Sequence, residues 1–290
     1  IWGMAFVSQS KGMDYMHPFT FNGVRSLIGA AGILVYILIS RKIAGDKAAK
    51  LDWKLNVKAG LLCGIFLTIA STLQQFGIKY TSVGKAGFIT TLYIIFVPMF
   101  GIFLKKKVAP VVWAAAGMAA VGMYLLCMTE SLRLGAGDIM VFLCAIAFAI
   151  QIMTVDHYAA RIDGAVVSCI QFTVCGVVCC IGALIWGQPT FGQIQEGLGA
   201  LLYAGVLSCG VGYTLQIVGQ KGLNPTVAAL IMSLESVIAT ISGWIAYKIG
   251  FLSTDQTLTP RQIAGCVIVF AAVILVQLPP EWFRFGKKNA

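Results

Sequence analysis

Nine stretches of this chain are apolar for about 20 residues or more, with short polar connections between them. They run roughly 18–40, 56–78, 83–104, 108–128, 138–159, 164–187, 198–219, 225–248 and 260–279. A bilayer core about 30 Å thick is crossed by about 20 helical residues, whereas a barrel strand needs about half as many. Inside that core every backbone polar group must be satisfied within the protein, so blocks of this length predict membrane helices. A tenth block, from Ile1 to about Gln9, is shorter and reads as a helix truncated at its start.

Composition agrees with the blocks. Hydrophobic residues make up 59% of the 290 and charged residues 11%. A soluble domain carries about 25% charged residues. A water-soluble enzyme and a disordered chain are both excluded. The net charge of +10 does not point to nucleic acid, because no basic stripe is interleaved with exposed aromatics. The nine cysteines all fall inside or at the end of apolar runs. Cys175 and Cys179 share a helix face, but no His or carboxylate beside them completes a metal site. No metal and no cofactor are expected.

Helix punctuation marks the block edges. Pro18, Pro110, Pro225 and Pro260 stand at or just inside helix starts, where a missing N–H costs nothing. Asn224 and Thr259 are candidate N-caps. Pro98 lies well inside a block and predicts a kink in the fourth helix with a freed carbonyl. Charge sets orientation. Arg41, Lys42, Lys47, Lys50, Lys54, Lys58, Lys105, Lys106, Lys107, Arg161, Lys221, Arg284, Lys287 and Lys288 fall on one side, fourteen in all. The six on the other are Lys11, Lys79, Lys85, Arg133, Lys248 and Arg261. This asymmetry predicts ten helices with both termini cytoplasmic in the plasma membrane.

The chain repeats internally. At a shift of 142, Phe6 meets Phe148, Gln9 meets Gln151, Thr72 meets Thr214, Gln74 meets Gln216, and Lys79 meets Lys221. Polar identities at one constant shift weigh more than Ala and Leu matches in apolar sequence. The expected units are residues 1–128 and 136–280, followed by a basic cytoplasmic tail at 281–290. Five helices per unit is odd, so the second copy crosses the membrane the opposite way. The expected fold is an all-α membrane protein of ten transmembrane helices in two inverted five-helix repeats, an architecture used for alternating access.

Several segments resemble the EamA-type proteins of the drug/metabolite transporter superfamily. They are Ile1-Trp2-Gly3 through Phe6, Pro18 to Arg25, and Lys85-Ala86-Gly87-Phe88 through Pro98. In the second half, Ala204-Gly205-Val206 through Tyr213 is similar to the family's eighth helix. Ala228 to Glu235 is similar to its ninth, with Ser236 where a proline often follows the glutamate. The resemblance covers nearly the whole chain. It implies a central cavity lined by helices one, three, four, six, eight and nine, and it leaves the substrate unspecified.

Polar groups within a bilayer are costly and mark function. Glu235 is the one acid deep in a block, about ten residues or about 15 Å into its helix. It reads as a proton-coupling carboxylate, as a counter-ion for a cationic substrate group, or as a backbone-bonded structural residue. Arg25 is the one basic residue well inside a block. It pairs with a substrate carboxylate, or it snorkels outward or caps neighbouring carbonyls. Gln9, Gln74, Gln75, Gln151 and Gln216 offer neutral donors and acceptors for a polar metabolite, with interhelical bonding as the alternative. Trp2, Phe6, Tyr93, Phe148 and Tyr213 offer an aromatic wall, and the 142 shift pairs Tyr93 with Glu235. Gly60 and Gly64 form a close-packing face, while Gly84, Gly87, Gly205, Gly210 and Gly212 loosen their helices.

The leading expectation is a secondary transporter for a small organic metabolite, an amino acid or related amphipathic, zwitterionic or cationic solute. Its partners are that substrate, the bilayer and protons as candidate coupling ions, with the chain a monomer or weak homodimer. No P-loop supplies ATP hydrolysis. A passive channel lacks a visible selectivity ring. An intramembrane enzyme would need a base, and His17 and His157 lie near helix ends, away from Ser208.

Overall fold

The computed structural model describes residues 1–45, 51–81, 83–105, 108–127, 135–249 and 258–278. Lys47, Lys50, Lys106, Lys107, Arg133, the side chain of Lys85 and the tail 281–290 lie outside the described residues. Every regular element among the described residues is helical. The chain forms α1 Trp2–Gly12, α2 Pro18–Ala44, α3 Trp53–Tyr80, α4 Val83–Thr91, α5 Tyr93–Phe103, α6 Pro110–Cys127 and α7 Ala136–Ala159. There follow α8 Gly164–Gly182, α9 Phe191–Glu196, α10 Leu198–Leu202, α11 Tyr213–Gly219, α12 Pro225–Met232, α13 Leu234–Lys248 and α14 Pro260–Gln277. Seven helical stretches are long and apolar enough to cross a membrane, and Pro110–Leu126 and Pro260–Val276 are shorter apolar helices. The outer face of α2 turns Leu34, Val35, Leu38 and Ile39 outward, as lipid contact requires. This is an all-α membrane protein.

The starts of the helices follow local chemistry. Asn224 accepts from the N–H of Thr226 at 2.9 Å, and Thr259 makes a reciprocal capping box with Gln262. Asp52 and Asp163 cap α3 and α8, and Asn56 ties these two ends together by accepting from the N–H of Asp163 at 2.8 Å.

His17 caps α2 by accepting from the N–H of Phe19 through Nδ1 at 3.4 Å, which requires a neutral ring nitrogen there. Burial, helped by the charge of Lys79, holds the imidazole below its ordinary pKa of 6.5. Its contribution to stability is therefore present above pH 6.5 and lost as pH falls through its lower folded value. Asn in its place keeps the cap without the titration. The difference in melting temperature between wild type and His17→Asn should widen against the wild type below that pH. A difference that stays constant from pH 8 to pH 5 would contradict this.

Two apolar spans are interrupted near their middles. The fourth span breaks at Leu92, about one turn and a half upstream of Pro98, the expected site of the kink; Pro98 itself lies inside α5. The N–H of Ile95 turns back to Leu92 O at 2.9 Å, so the tightening is taken up upstream of the proline. The ninth span breaks at Ser233, where Ser236 N–H turns back to Ser233 O at 3.1 Å. Its counterpart at Leu92 is within one residue of the 142 offset. Two further stretches widen into π-helix, Ala183–Gly187 and Tyr203–Gly212. The second contains Gly205, Gly210 and Gly212, the glycines expected to loosen that span.

Helix α3 packs on α7 and α8, α2 on α8 and on the π-helical stretch 203–212, and α14 on α6. Gly60 and Gly64 form the α3–α8 seam: a Cβ there would stand 2.6 Å from Ile170 Cβ and 2.8 Å from Val174 Cβ.

Candidate functional site

A cavity lies inside the bundle, with about 670 Å³ of space not filled by protein atoms, open solvent at its mouth included. The elements around it are α1, α2, α3, the two broken spans, α7, α8 and the span from Leu198 to Gly219. Trp2, Phe6, Gln9, Arg25, Gln74, Tyr93, Phe148, Gln151, Tyr213, Gln216 and Glu235 all line it. Gln75 does not. It is fully buried, and its Nε2 donates to Gln9 O at 3.2 Å, holding α3 against α1.

The broken spans meet at the centre. Tyr93 begins α5 and Glu235 sits in the first turn of α13. The Tyr93 hydroxyl donates to Glu235 Oε1 at 3.3 Å. The break at Ser233 thereby gives the carboxylate the positive end of a half-helix. Aromatic rings form another part of the wall. The rings of Trp2 and Tyr213 are 4.7 Å apart, and those of Tyr213 and Phe172 are 5.1 Å apart. Trp2 also donates from Nε1 to Ser208 O at 3.4 Å.

Arg25 does not snorkel outward. It is 6% exposed and faces the cavity, with its guanidinium carbon 5.3 Å from the centre of the Phe21 ring. Helix α2 is apolar almost all round, so its sequence does not specify which way it rotates. The close crossing of Gly29 and Gly205 settles the rotation: a Cβ on Gly205 would lie 2.9 Å from Arg25 O. Arg25 and Glu235 line one lumen without forming an ion pair with each other.

The glutamines divide into two groups. Gln216 Nε2 donates to Gln151 Oε1 and to Gln220 Oε1, both at 3.3 Å, and Gln151 Nε2 reaches Gln171 Oε1 at 3.5 Å. Gln220 in turn donates to Ile152 O at 3.3 Å. In the first half, Gln74 donates instead to Thr90 Oγ1 at 3.3 Å, and Gln9 Oε1 is buried without a partner. Gln9 and Gln74 share no hydrogen bond.

Sequence reasoning missed Ala5, Ser26, Leu67, Ser71, Thr90, Ile152, Phe172, Ser208, Cys209 and Met232, which also line the cavity. Hydroxyls in apolar helices commonly bond to their own backbone, which hides them among packing residues. The repeat carried the missing signal. Seven pairs of lining residues stand 142 positions apart: Phe6/Phe148, Gln9/Gln151, Leu67/Cys209, Ser71/Tyr213, Gln74/Gln216, Thr90/Met232 and Tyr93/Glu235. Extending the shift from polar identities to their neighbours would have found five of the ten.

Known proteins resemble the chain over its whole length. A protein of Archaeoglobus fulgidus named an uncharacterized transporter is 27% identical over 284 residues, 96% of this chain and 82% of its own. The uncharacterized transporter YoaV of Bacillus subtilis is 20% identical, over 100% of this chain and 95% of its own. A solved crystal structure shares the fold at a TM-score of 0.77 with 15% identity, covering all of this chain and 95% of that one. The EamA-like transporter family matches residues 1–128 and 135–278. The chain therefore belongs to the EamA-like transporter family of multi-pass membrane proteins.

Proposed function

We propose that the protein is a secondary-active transporter that moves a small organic metabolite by alternating access. The spans form ten transmembrane helices in two inverted five-helix repeats, 1–128 and 136–280. The basic tail 281–290 and both termini face the cytoplasm at the plasma membrane. The chain works as a monomer or weak homodimer, by proton coupling through Glu235 or by exchange. The observation that carries this reading is a single cavity lined by seven residue pairs at one offset, whose hydrogen bonds differ between the halves. The family match in two stretches supports the same division. A sequence repeated in inverted orientation has two packings related by its pseudo-symmetry, and only one is occupied at a time.

In this state Gln151 and Gln216 are latched, and their counterparts Gln9 and Gln74 share no hydrogen bond. In the opposite state the roles exchange. An amide bond between membrane helices is worth about 0.6 kcal/mol. Gln151→Leu removes two of them and should shift the balance of states about 3- to 8-fold. Half-saturation for a transported solute, measured from the two membrane faces in proteoliposomes, reads that shift as a changed ratio. Gln9→Leu should leave the present state favoured. Equal ratios in wild type and Gln151→Leu would count against the latch and against alternation between these two packings. A channel or facilitator would show no such sidedness.

A further inference from the structure

Among the described residues, the one cation in the cavity wall is chemically unfinished. Arg25 is more than nine-tenths buried, and its Nε is enclosed with no hydrogen-bond partner. Its guanidinium donates no hydrogen bond to the protein among the described residues. Phe21 covers the group at 5.3 Å but satisfies no donor. The acid in the same wall, Glu235, already accepts from Tyr93. A guanidinium withdrawn from water is costly unless paired, and its planar fork matches a carboxylate with two parallel hydrogen bonds.

We propose that Arg25 is the recognition point for a carboxylate on the transported solute. The cargo is then a small organic carboxylate, an acid or an amino acid, and not a simple amine. Charge balance selects a single negative group. Arg25 is the lone basic side chain among the described residues of the wall, and Glu235 shares the lumen with it, so a phosphate dianion would meet one cation and one acid there. A lone cation would be drawn to Glu235 but repelled by Arg25 while leaving the guanidinium unpaired. The aromatic wall of Trp2, Tyr213 and Phe172 is left for the apolar part of the solute.

This inference rests on the transporter reading only in calling the ligand a cargo, and an equilibrium binding test separates the two. Thermal stability of the purified full chain would be measured with four matched sets of compounds. Each set holds an α-amino acid, its carboxamide, its amine and its deaminated acid, built on the side chains of alanine, leucine, methionine and glutamine. The expected result is stabilisation by carboxylate-bearing members of at least one set, with carboxamide and amine weaker by about tenfold or more in apparent Kd. In Arg25→Gln that preference should vanish while the ligand-free protein melts no lower, since a neutral amide is cheaper to bury than an unpaired charge. Arg25→Lys keeps the charge without the fork and should retain a weakened preference.

Amines or carboxamides binding as well as the acids would overturn the assignment. So would an acid preference that survives Arg25→Gln, or a panel in which no carboxylate binds. None of those results bears on whether the protein carries solutes, which flux measurements decide separately.

Discussion

Replacing Glu235 by Gln should abolish gradient-driven accumulation of solute while leaving exchange of solute across the membrane intact. The residue sits where the two broken spans meet, half-buried, facing the cavity and bonded to Tyr93 at 3.3 Å. Of the eleven acids in the sequence it is the one deep within a span. Coupling needs a group that changes charge in step with the cargo, and among the wall residues a carboxyl is the group suited to exchange protons with water. Gln keeps the shape and can still pair with the Tyr93 hydroxyl, so the half-helix junction survives. Proteoliposomes with an imposed proton gradient read the difference. Wild type should concentrate solute above equilibrium, and Glu235→Gln should reach equilibrium and stop. Full concentrative uptake by the variant would remove Glu235 from the coupling step. Tyr93→Phe separates the roles: it breaks the hydrogen bond but leaves the carboxyl, so transport should slow severalfold and remain coupled.

The second large effect is mechanical. Gly29 of α2 and Gly205 of the π-helical stretch cross with their backbones in contact. A Cβ on Gly205 would lie 2.8 Å from Ile28 Cβ and 2.9 Å from Arg25 O. One on Gly29 would lie 2.7 Å from Cys209 Cβ and 2.9 Å from Gly205 O. Neither neighbour is the loose end of a flexible side chain, so Gly205→Val must part the two elements. Overpacking of a well-filled interior costs about 1–3 kcal/mol, and backbone contacts lie at the upper end. The crossing also fixes the rotation of α2 and thereby aims Arg25. Gly205→Val should lower the melting temperature by several degrees and weaken ligand binding together. Gly32 is the control, since a Cβ there meets nothing within 4 Å. Gly32→Ala should be neutral or stabilising, by about 0.5–1 kcal/mol from helix propensity. Equal melting of the two variants would show that the crossing is not constrained.

The spans were legible because bilayer thickness sets their length and proline, Asn and Thr set their starts. The predicted start at Pro225 and the caps at Asn224 and Thr259 are all local chemistry. The breaks at Leu92 and Ser233 were not legible, because neither carries a glycine or proline. They arise where half-helices pack against each other at the cavity, which is a tertiary effect. Pro98 marked the right span but not the right residue. Within the candidate site, the costly groups stood out. Glutamines, an acid and an arginine in apolar helices have few other reasons to be there. Gln75 shows the limit of that argument: its neighbour Gln74 faces the cavity, and one step around the helix turns Gln75 to α1 instead. Polarity announces that a partner is needed, while the helix phase decides whether the partner is solute or backbone.

Counterflow in proteoliposomes bears most directly on the central proposal of a carrier with two alternating packings. Vesicles are loaded with unlabelled solute at high concentration, and entry of a trace of the labelled solute is followed. Alternating access predicts saturable entry that is accelerated by the solute inside, with a transient overshoot of label above equilibrium. Label entry that rises linearly with concentration and ignores the internal solute would contradict it, and would make the cavity a passage open to both sides at once.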